Sequence, residues 1–168
     1  MSIRLRRYRN ADAIEVGRLI AKTFRDFNLS YASPEEQEKL LGPFRHASSD
    51  DTMHKAQIAN LIDAPIVLVV EDAIAGQIVG VLRGRPGRLH SLFVRASHHR
   101  RGIGRRLMER LERETRDAGI DKITMQATLY AVPFYQSLGY VRSTGVRSGP
   151  CFDGTGFKYQ PMKKALPG

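Results

Sequence analysis

The segment His98-His-Arg-Arg-Gly-Ile-Gly-Arg-Arg106 carries the clearest chemistry in this chain of 168 residues. It lies between a predicted strand that ends at Val94 and a predicted amphipathic helix over Gly104 to Ala118. Glycines in the first turn of a helix let backbone N–H groups approach an anion closely, and the helix dipole favours negative charge there. Charged donors are added around the same point by Arg100, Arg101, Arg105 and Arg106. The segment therefore predicts a phosphate or pyrophosphate site.

Two well-known phosphate-binding loops do not match this segment. A Walker loop ends in Gly-Lys-Ser/Thr, and the dinucleotide fingerprint Gly-x-Gly-x-x-Gly needs a glycine where Leu107 stands. ATP and NAD are therefore not the favoured ligands. The simplest alternative is a basic helix start that binds nothing, because arginine-rich helix faces are usually only solvated.

The first third of the chain predicts one strand and three helices. Apolar and basic residues alternate at the start of the range Ile3–Arg9, as in a strand with one exposed face. A helix capped by Asn10 or Asp12 follows, with an apolar stripe made of Val16, Leu19, Ile20, Phe24 and Phe27. Ser33-Pro-Glu-Glu36 has the pattern of a capping box for a short helix that Gly42-Pro43 ends. A third helix is predicted from Asp51 to Ile62.

The rest of the chain predicts a sheet that is crossed by one long helix. An antiparallel meander is expected over Ile66–Glu71, Gln77–Leu82 and Leu89–Val94. After the long helix come a strand over Lys122–Ala127, a short helix over Val132–Leu138, and strands near Tyr140–Ser143 and Phe157–Lys163. A strand-helix-strand unit closes with parallel strands, so the Leu89 and Lys122 strands are predicted to be parallel. The predicted fold class is α/β, with a mixed, mostly antiparallel central sheet and flanking helices.

Composition narrows the function classes. The 27 Lys and Arg residues against 17 Asp and Glu give a net charge of +10, which favours an anionic partner. The longest apolar run, Ala64–Val70, is far shorter than the ~20 residues of a membrane span, and no apolar signal core opens the chain. Cys151 is the single cysteine, which excludes an internal disulfide and a cysteine zinc cage. We expect one cytoplasmic domain over residues 1–168 without membrane contact.

Two motifs resemble the GNAT superfamily of N-acetyltransferases. Arg100-Arg-Gly-Ile-Gly-Arg-Arg-Leu-Met108 is similar to the family's acetyl-CoA motif, Gln/Arg-x-x-Gly-x-Gly/Ala, with His99 where Gln or Arg is usual. Gln126-Ala-Thr-Leu-Tyr-Ala-Val-Pro-Phe-Tyr-Gln-Ser-Leu-Gly-Tyr140 is similar to the second motif, with Gln126 where many members have Asn. The resemblance assigns residues 88–118 and 122–140 to these motifs. It implies a sheet with a splayed parallel strand pair, acetyl-CoA as the acetyl donor, and no metal.

The same resemblance assigns the cofactor-binding residues. The pantetheine arm pairs with the backbone of Leu92, Phe93 and Val94, where a strand amide also stabilises the developing oxyanion. The pyrophosphate is held beside His99 by the backbone amides of Arg100, Arg101, Gly102, Ile103, Gly104 and Arg105. Further cofactor contacts are expected from Gln126, Tyr130, Phe134 and Tyr135.

Two side chains are the candidates for proton transfer during direct attack of an amine on the thioester. Tyr135 matches the family's tyrosine near the CoA sulfur and is the candidate acid; its alternative role is a core aromatic. His90 is the candidate base, because imidazole titrates near neutral pH; Glu71 or a water chain could do the same work. A metal pair of His98 and His99 is not favoured, since no further ligand follows at suitable spacing. Cys151 lacks the basic surroundings of a nucleophile.

The acceptor pocket is expected in the variable segment 24–62. Its candidate substrate-binding residues are Phe24, Phe27, Asn28 and Tyr31, with Phe44 beside them. The acceptor is expected to be a primary amine of a small molecule or peptide, and the family suggests a homodimer through the C-terminal strands. Two alternatives stay open: a basic nucleic-acid-binding module, and a non-catalytic acyl-CoA-binding protein of the same fold. The first is disfavoured because a phosphate-bearing cofactor already explains four clustered arginines.

Overall fold

The computed structural model describes residues 2–168, which form five α-helices and eight β-strands. The strands are β1 (Ile3–Arg7), β2 (Ile66–Asp72), β3 (Gln77–Arg85), β4 (Arg88–Val94), β5 (Lys122–Thr128), β6 (Val141–Arg142), β7 (Arg147–Cys151) and β8 (Gly154–Ala165). The helices are α1 (Ala13–Thr23), α2 (Pro34–Leu41), α3 (Thr52–Ile62), α4 (Ile103–Asp117) and α5 (Val132–Ser137). None of the helices in residues 2–168 is both long and apolar enough to cross a membrane.

The strands form one sheet in the order β1-β2-β3-β4-β5-β8-β6, and β7 pairs with β8. Every pairing is antiparallel except that of β4 with β5, which α4 connects. The predicted α/β fold class, with a mixed and mostly antiparallel sheet around one parallel pair, is confirmed.

Helices cover both faces of the sheet and create two apolar cores. α4 and α5 cover one face, where Leu107, Met108 and Leu111 are fully buried. α1, α2 and α3 cover the other face, to which Val16 and Leu19 contribute. This burial confirms the predicted apolar stripe of α4. Burying one face against a sheet is the main source of stability for an amphipathic helix.

Local capping signals place the helices near the acceptor side. The Ser33 hydroxyl accepts a hydrogen bond from the Glu36 amide at 3.2 Å, and the Glu36 carboxylate accepts one from the Ser33 amide at 3.0 Å. Asp51 caps α3 by accepting from the Met53 amide at 2.8 Å. After α1, a π-helical turn over Phe24–Asn28 closes with a bond from the Leu29 amide to the Phe24 carbonyl.

Two strand predictions were wrong. β3 continues to Arg85 instead of ending at Leu82, because Gly84 allows the backbones of β3 and β4 to approach closely: a Cβ atom there would lie 2.5 Å from the Arg88 carbonyl oxygen. The predictions also lacked β7, whose Ser-Gly-Pro sequence is a poor strand former that pairing with β8 nevertheless holds extended.

Candidate active site

The loop from His99 to Gly102 turns the chain into α4 and leaves the first amides of that helix open. Arg100 and Gly102 have φ values of 59° and 80°, in the left-handed region that glycine adopts without penalty. Gly102 precedes α4 without offering a side-chain cap. The amides of the first turn therefore have no partner within the helix; they belong to Ile103, Gly104 and Arg105. Together with the helix dipole they form a site for an anion.

Gly104 lets α5 pack directly against this helix start. A Cβ atom on Gly104 would lie 2.8 Å from Cζ of Phe134, closer than such atoms approach in proteins. The Phe134 ring in turn meets the Tyr135 ring edge-on, with centroids 5.1 Å apart. The glycine of the first motif and the two aromatic residues of the second are thus neighbours.

A cleft opens between β4 and β5 because these strands diverge. They pair only where Arg88 faces Thr124, supported by a bond of 3.0 Å from the Thr124 amide to the Gly87 carbonyl. Beyond that point β4 has no strand partner on its β5 side, and the gap is a cleft of about 350 Å³. Eight of the residues singled out from the sequence as site residues line it, namely Phe24, Asn28, Phe44, His90, Leu92, Phe93, Gln126 and Tyr135.

A β-bulge turns His90 towards this cleft. Arg83 of β3 faces Ser91, and the next residue, Gly84, faces Leu89, so His90 has no opposite residue. A bulged residue is left out of the ladder and its side chain is redirected. His90 accordingly lines the cleft and keeps part of its surface accessible to solvent.

The surroundings of His90 favour a neutral imidazole. Partial burial lowers the pKa of His90 below the ordinary 6.5, and the positive charges of Arg83, Arg85 and Arg88 lower it further. A neutral ring nitrogen can accept a proton, so the side chain is in the form that a base requires at neutral pH.

Tyr135 is buried below the cleft and keeps its proton. Its side chain belongs to the core on the α4 side, with the Tyr140 ring at 6.0 Å. Burial raises the pKa of the Tyr135 phenol above its ordinary value. Among residues 2–168 no hydrogen bond engages its hydroxyl, while the residue lines the cleft. The group can therefore donate a proton into the cleft.

Three predicted site residues form an aromatic cluster at the outer end of the diverging strands. The Phe27 ring lies 5.0 Å from that of His99 and 5.3 Å from that of Tyr130. His99 Nε2 lies 2.7 Å from the Val94 carbonyl oxygen, at the end of β4. Phe27, expected on the acceptor side, thus lies beside residues expected on the cofactor side.

The other predicted acceptor residues do not all lie at the cleft. Phe24 and Asn28 line the cleft, and the Asn28 amide donates to the Thr128 hydroxyl at 2.6 Å, which ties the π-helical turn to β5. Phe44 also lines the cleft. Tyr31 is 50% exposed and its hydroxyl lies 3.4 Å from the Lys158 amide, away from the cleft lining.

The weaker candidates are either paired with other groups or kept in an unreactive form. Glu71 pairs with Arg6, whose hydrogen bond is the main cause that lowers the pKa of this carboxyl. His98 Nε2 lies 2.9 Å from the Asp72 carboxylate, whereas His99 faces a carbonyl. Burial raises the pKa of the Cys151 thiol to about 11, which disfavours the thiolate.

The cleft residues that were missed from the sequence include Arg83, Arg88 and Phe157. Arg83 carried a usable signal, because a basic residue directly after the apolar run Ile78–Leu82 is unusual in a strand covered on both faces. Phe157 had no local signal, since its ring reaches the site only by stacking on Phe24, 5.9 Å away.

Comparison with known proteins settles the family. A family model described as an Acetyltransferase (GNAT) domain matches residues 32–166. The chain belongs to the GNAT acetyltransferase family. Among solved structures, it is similar to a GCN5-related N-acetyltransferase from Rhodopseudomonas palustris, with a TM-score of 0.77 and 22% identity over 99% of this chain and 97% of that one.

Two further GNAT-fold structures contain the cofactor. YncA from Salmonella typhimurium was solved with acetyl-CoA; its TM-score is 0.63 and its identity 18%, covering 100% of this chain and 96% of that one. PaiA N-acetyltransferase from Thermoplasma acidophilum was solved with coenzyme A; its TM-score is 0.64 and its identity 16%, covering 99% of this chain and 100% of that one. At these identities the similarity establishes the shared fold.

Proposed function

We propose that this GNAT protein transfers an acetyl group from acetyl-CoA to a primary amine by direct attack. The observation that carries the proposal is the cleft between β4 and β5, which is lined by His90 and Tyr135 and lies along the strand that leads to the open amides of α4. Family membership supplies the reaction class, and the two structural neighbours solved with acetyl-CoA and coenzyme A support the choice of donor.

The residues of the chain fit acetyl-CoA. The amides of Ile103, Gly104 and Arg105, with those of the preceding loop, offer a cradle for the pyrophosphate. The unpaired edge of β4 offers backbone groups to the amides of the pantetheine arm, as a strand does to a partner. Tyr130 and Gln126 are exposed beside this path and are proposed as further cofactor contacts.

Bound acetyl-CoA supplies a thioester carbonyl, at which a C–N bond to the amine forms while the C–S bond breaks. The backbone N–H of Phe93 or Val94 is proposed to donate to the carbonyl oxygen, where negative charge develops. The apolar walls of the cleft strengthen such a bond because they exclude water.

His90 takes the proton that the attacking nitrogen must lose. Its bulged position, exposure to the cleft and lowered pKa support this role. Glu71 is the weaker candidate, because it is held in an ion pair with Arg6 and does not line the cleft.

Tyr135 returns a proton to the departing sulfur. Its raised pKa keeps it protonated at neutral pH, and the same apolar surroundings raise the pKa of the thiol that forms, so the departing sulfur accepts a proton more readily there than in water. The acceptor is proposed to enter on the side of segment 24–62, past Phe24, Asn28 and Phe44.

Thermal unfolding with acetyl-CoA, ATP and NAD tests the binding step. Acetyl-CoA at 100 times its Kd should stabilise the fold by about 2.7 kcal/mol, and ATP and NAD should not. Absence of a shift at saturating acetyl-CoA would contradict the proposal and favour the nucleic-acid alternative. A shift without release of free CoA across a broad amine panel would leave the non-catalytic acyl-CoA-binding alternative.

A further inference from the structure

The acceptor end of the cleft is lined by positive charge without a compensating carboxylate. Arg83 and Arg88 line the cleft, and within residues 2–168 no Asp or Glu lines it, although Asp63 is near enough to raise the pKa of Arg83. Neither guanidinium forms a salt bridge with a described carboxylate, although Arg6, Arg7 and Arg9 of the same chain all do.

Both guanidiniums are fixed in place and keep free donors. Arg83 Nε donates to the Ile62 carbonyl at 2.9 Å, and Arg88 Nη1 donates to the Thr124 hydroxyl at 3.1 Å. A guanidinium has five N–H groups in a rigid fork that matches a carboxylate or phosphate. The observed bonds use one or two of these groups on each side chain, so several remain to face the cleft.

Arg83 is half-buried, and burial lowers the pKa of its guanidinium more than the nearby charge of Asp63 raises it, so holding this charge in place costs stability. Its neighbours on this face are the apolar residues of the α1 and α3 core. An anion that entered the cleft would offset this cost, because opposite charges attract more strongly away from water.

These arginines lie away from the predicted cofactor phosphates. Arg88 begins β4 and Val94 ends it, six residues apart, so the strand separates Arg88 from the α4 loop by about 20 Å at roughly 3.3 Å per residue. The pyrophosphate cradle therefore does not account for the charges of Arg83 and Arg88.

We infer that Arg83 and Arg88 form a subsite for an anionic group on the acceptor, so that the preferred acceptor is an amine carrying a carboxylate or a phosphate. The inference rests on the proposed acetyltransferase function and adds the substrate class. The subsite disfavours polycationic acceptors, because the same arginines repel them. A second cavity supports the inference, since Arg88 and Arg147 line it and no described Asp or Glu does.

Matched pairs of acceptors test the substrate class. Initial rates are compared for phenylethylamine with phenylalanine and for ethanolamine with O-phosphoethanolamine, at equal concentrations of free amine, with spermidine as the polycation. The anionic member of at least one pair should have the higher kcat/KM, and the pair that shows the preference distinguishes carboxylate from phosphate. Neutral amines or spermidine acetylated faster than both anionic acceptors would overturn the inference while leaving the acetyltransferase function intact.

Three substitutions locate the subsite. In Arg83→Gln and Arg88→Gln, the anionic-to-neutral ratio of kcat/KM should fall by about 10- to 100-fold, the worth of a hydrogen bond to a charged group. Arg85→Gln is the matched control, since Arg85 is near enough to lower the pKa of His90 but does not line the cleft, and its ratio should be unchanged. Unchanged acetyl-CoA stabilisation verifies the fold of each variant. An unchanged ratio in both Arg83 and Arg88 variants would refute the subsite.

A second test of the positive charge does not depend on acetylation and measures alkylation of Cys151, the single cysteine, which lines the same cleft. The rate ratio of alkylation by iodoacetate to that by iodoacetamide is compared with the ratio for N-acetylcysteine amide, an uncharged thiol. A positive cleft should raise the protein's ratio by roughly threefold, the factor that an attraction of about one RT gives, and Arg83→Gln should abolish the rise. A ratio equal to that of the uncharged thiol would overturn the inference even if no acceptor is acetylated. Loss of acetyl-CoA binding in the parent protein would instead reject the proposed function.

Discussion

Gly102 and Gly119 offer a matched test of the proposed cofactor cradle. They flank α4 at opposite ends, with φ values of 80° and 76°, and a Cβ atom on either would meet no atom within 4 Å. Alanine at either position therefore costs the same left-handed strain, roughly 1–2 kcal/mol. For a chain of this size each kcal/mol lowers the melting temperature by about 2–4 °C, so both variants should melt about 2–8 °C lower.

The two variants should differ when acetyl-CoA is added. Gly102→Ala adds a methyl group at the residue that directly precedes the open amides of α4, where the pyrophosphate is proposed to lie, whereas Gly119→Ala adds one at the far end of the helix. If binding to Gly102→Ala is tenfold weaker, a concentration that stabilises the parent by about 2.7 kcal/mol stabilises this variant by about 1.4 kcal/mol. Gly119→Ala should keep the full increment.

Thermal unfolding of the three proteins with and without acetyl-CoA measures both effects. Equal increments in the two variants would refute the assignment of the cradle to the start of α4, because strain alone would then explain every change. Unequal melting temperatures without ligand would refute the claim that the two sites are equally strained.

Three further predictions concern proton transfer and charge. Tyr135→Phe should lower kcat by about 100-fold or more, as loss of a general acid does, without reducing stabilisation by acetyl-CoA; an unchanged kcat would return Tyr135 to a packing role. The pKa of His90 is lowered from 6.5, so kcat of the parent should decline only below that pH, as the base becomes protonated. The His90→Ala variant should lose this decline. A decline that persists in the variant would contradict the role of His90 as the base. Arg6 lowers the pKa values of Asp12 and Glu71, so the stability they contribute is present above about pH 4 and is lost as the pH falls through the lowered values. Arg6→Gln should therefore lower the free energy of unfolding at neutral pH by about 3 kcal/mol and flatten its acid dependence, as denaturant titrations across pH would measure.

The parts of the site that sequence predicts well are local in the chain. The cradle lies within seven consecutive residues, His99–Arg105, and its strand-loop-helix context follows from hydrophobic period and glycine position. Leu107 and Leu111 are buried as the stripe of α4 predicts, because a helical period of 3.6 residues fixes which side chains share a face.

The parts that sequence could not predict depend on pairing between distant segments. The bulge at His90 exists only because β3 and β4 pair with a shifted register, and no signal in the range Leu89–Val94 marks it. Phe27 continues the apolar stripe of α1, yet it lies beside His99 and Tyr130, about 70 and 100 residues further along the chain. Patterns identify a buried face but do not say which distant residue meets it.

The excess of positive charge, which composition alone could not assign, divides between the two ends of β4. At the end that continues into α4, backbone amides and the nearby arginines are proposed to hold the donor's phosphates. At the other end, Arg83 and Arg88 are proposed to hold an anion on the acceptor. His90 lies close to the second end, so a bound anion would partly cancel the charges that lower its pKa and would make it a stronger base. Anionic acceptors should therefore shift the acid limb of the kcat profile to higher pH than neutral acceptors do, which links acceptor charge to catalysis through one imidazole.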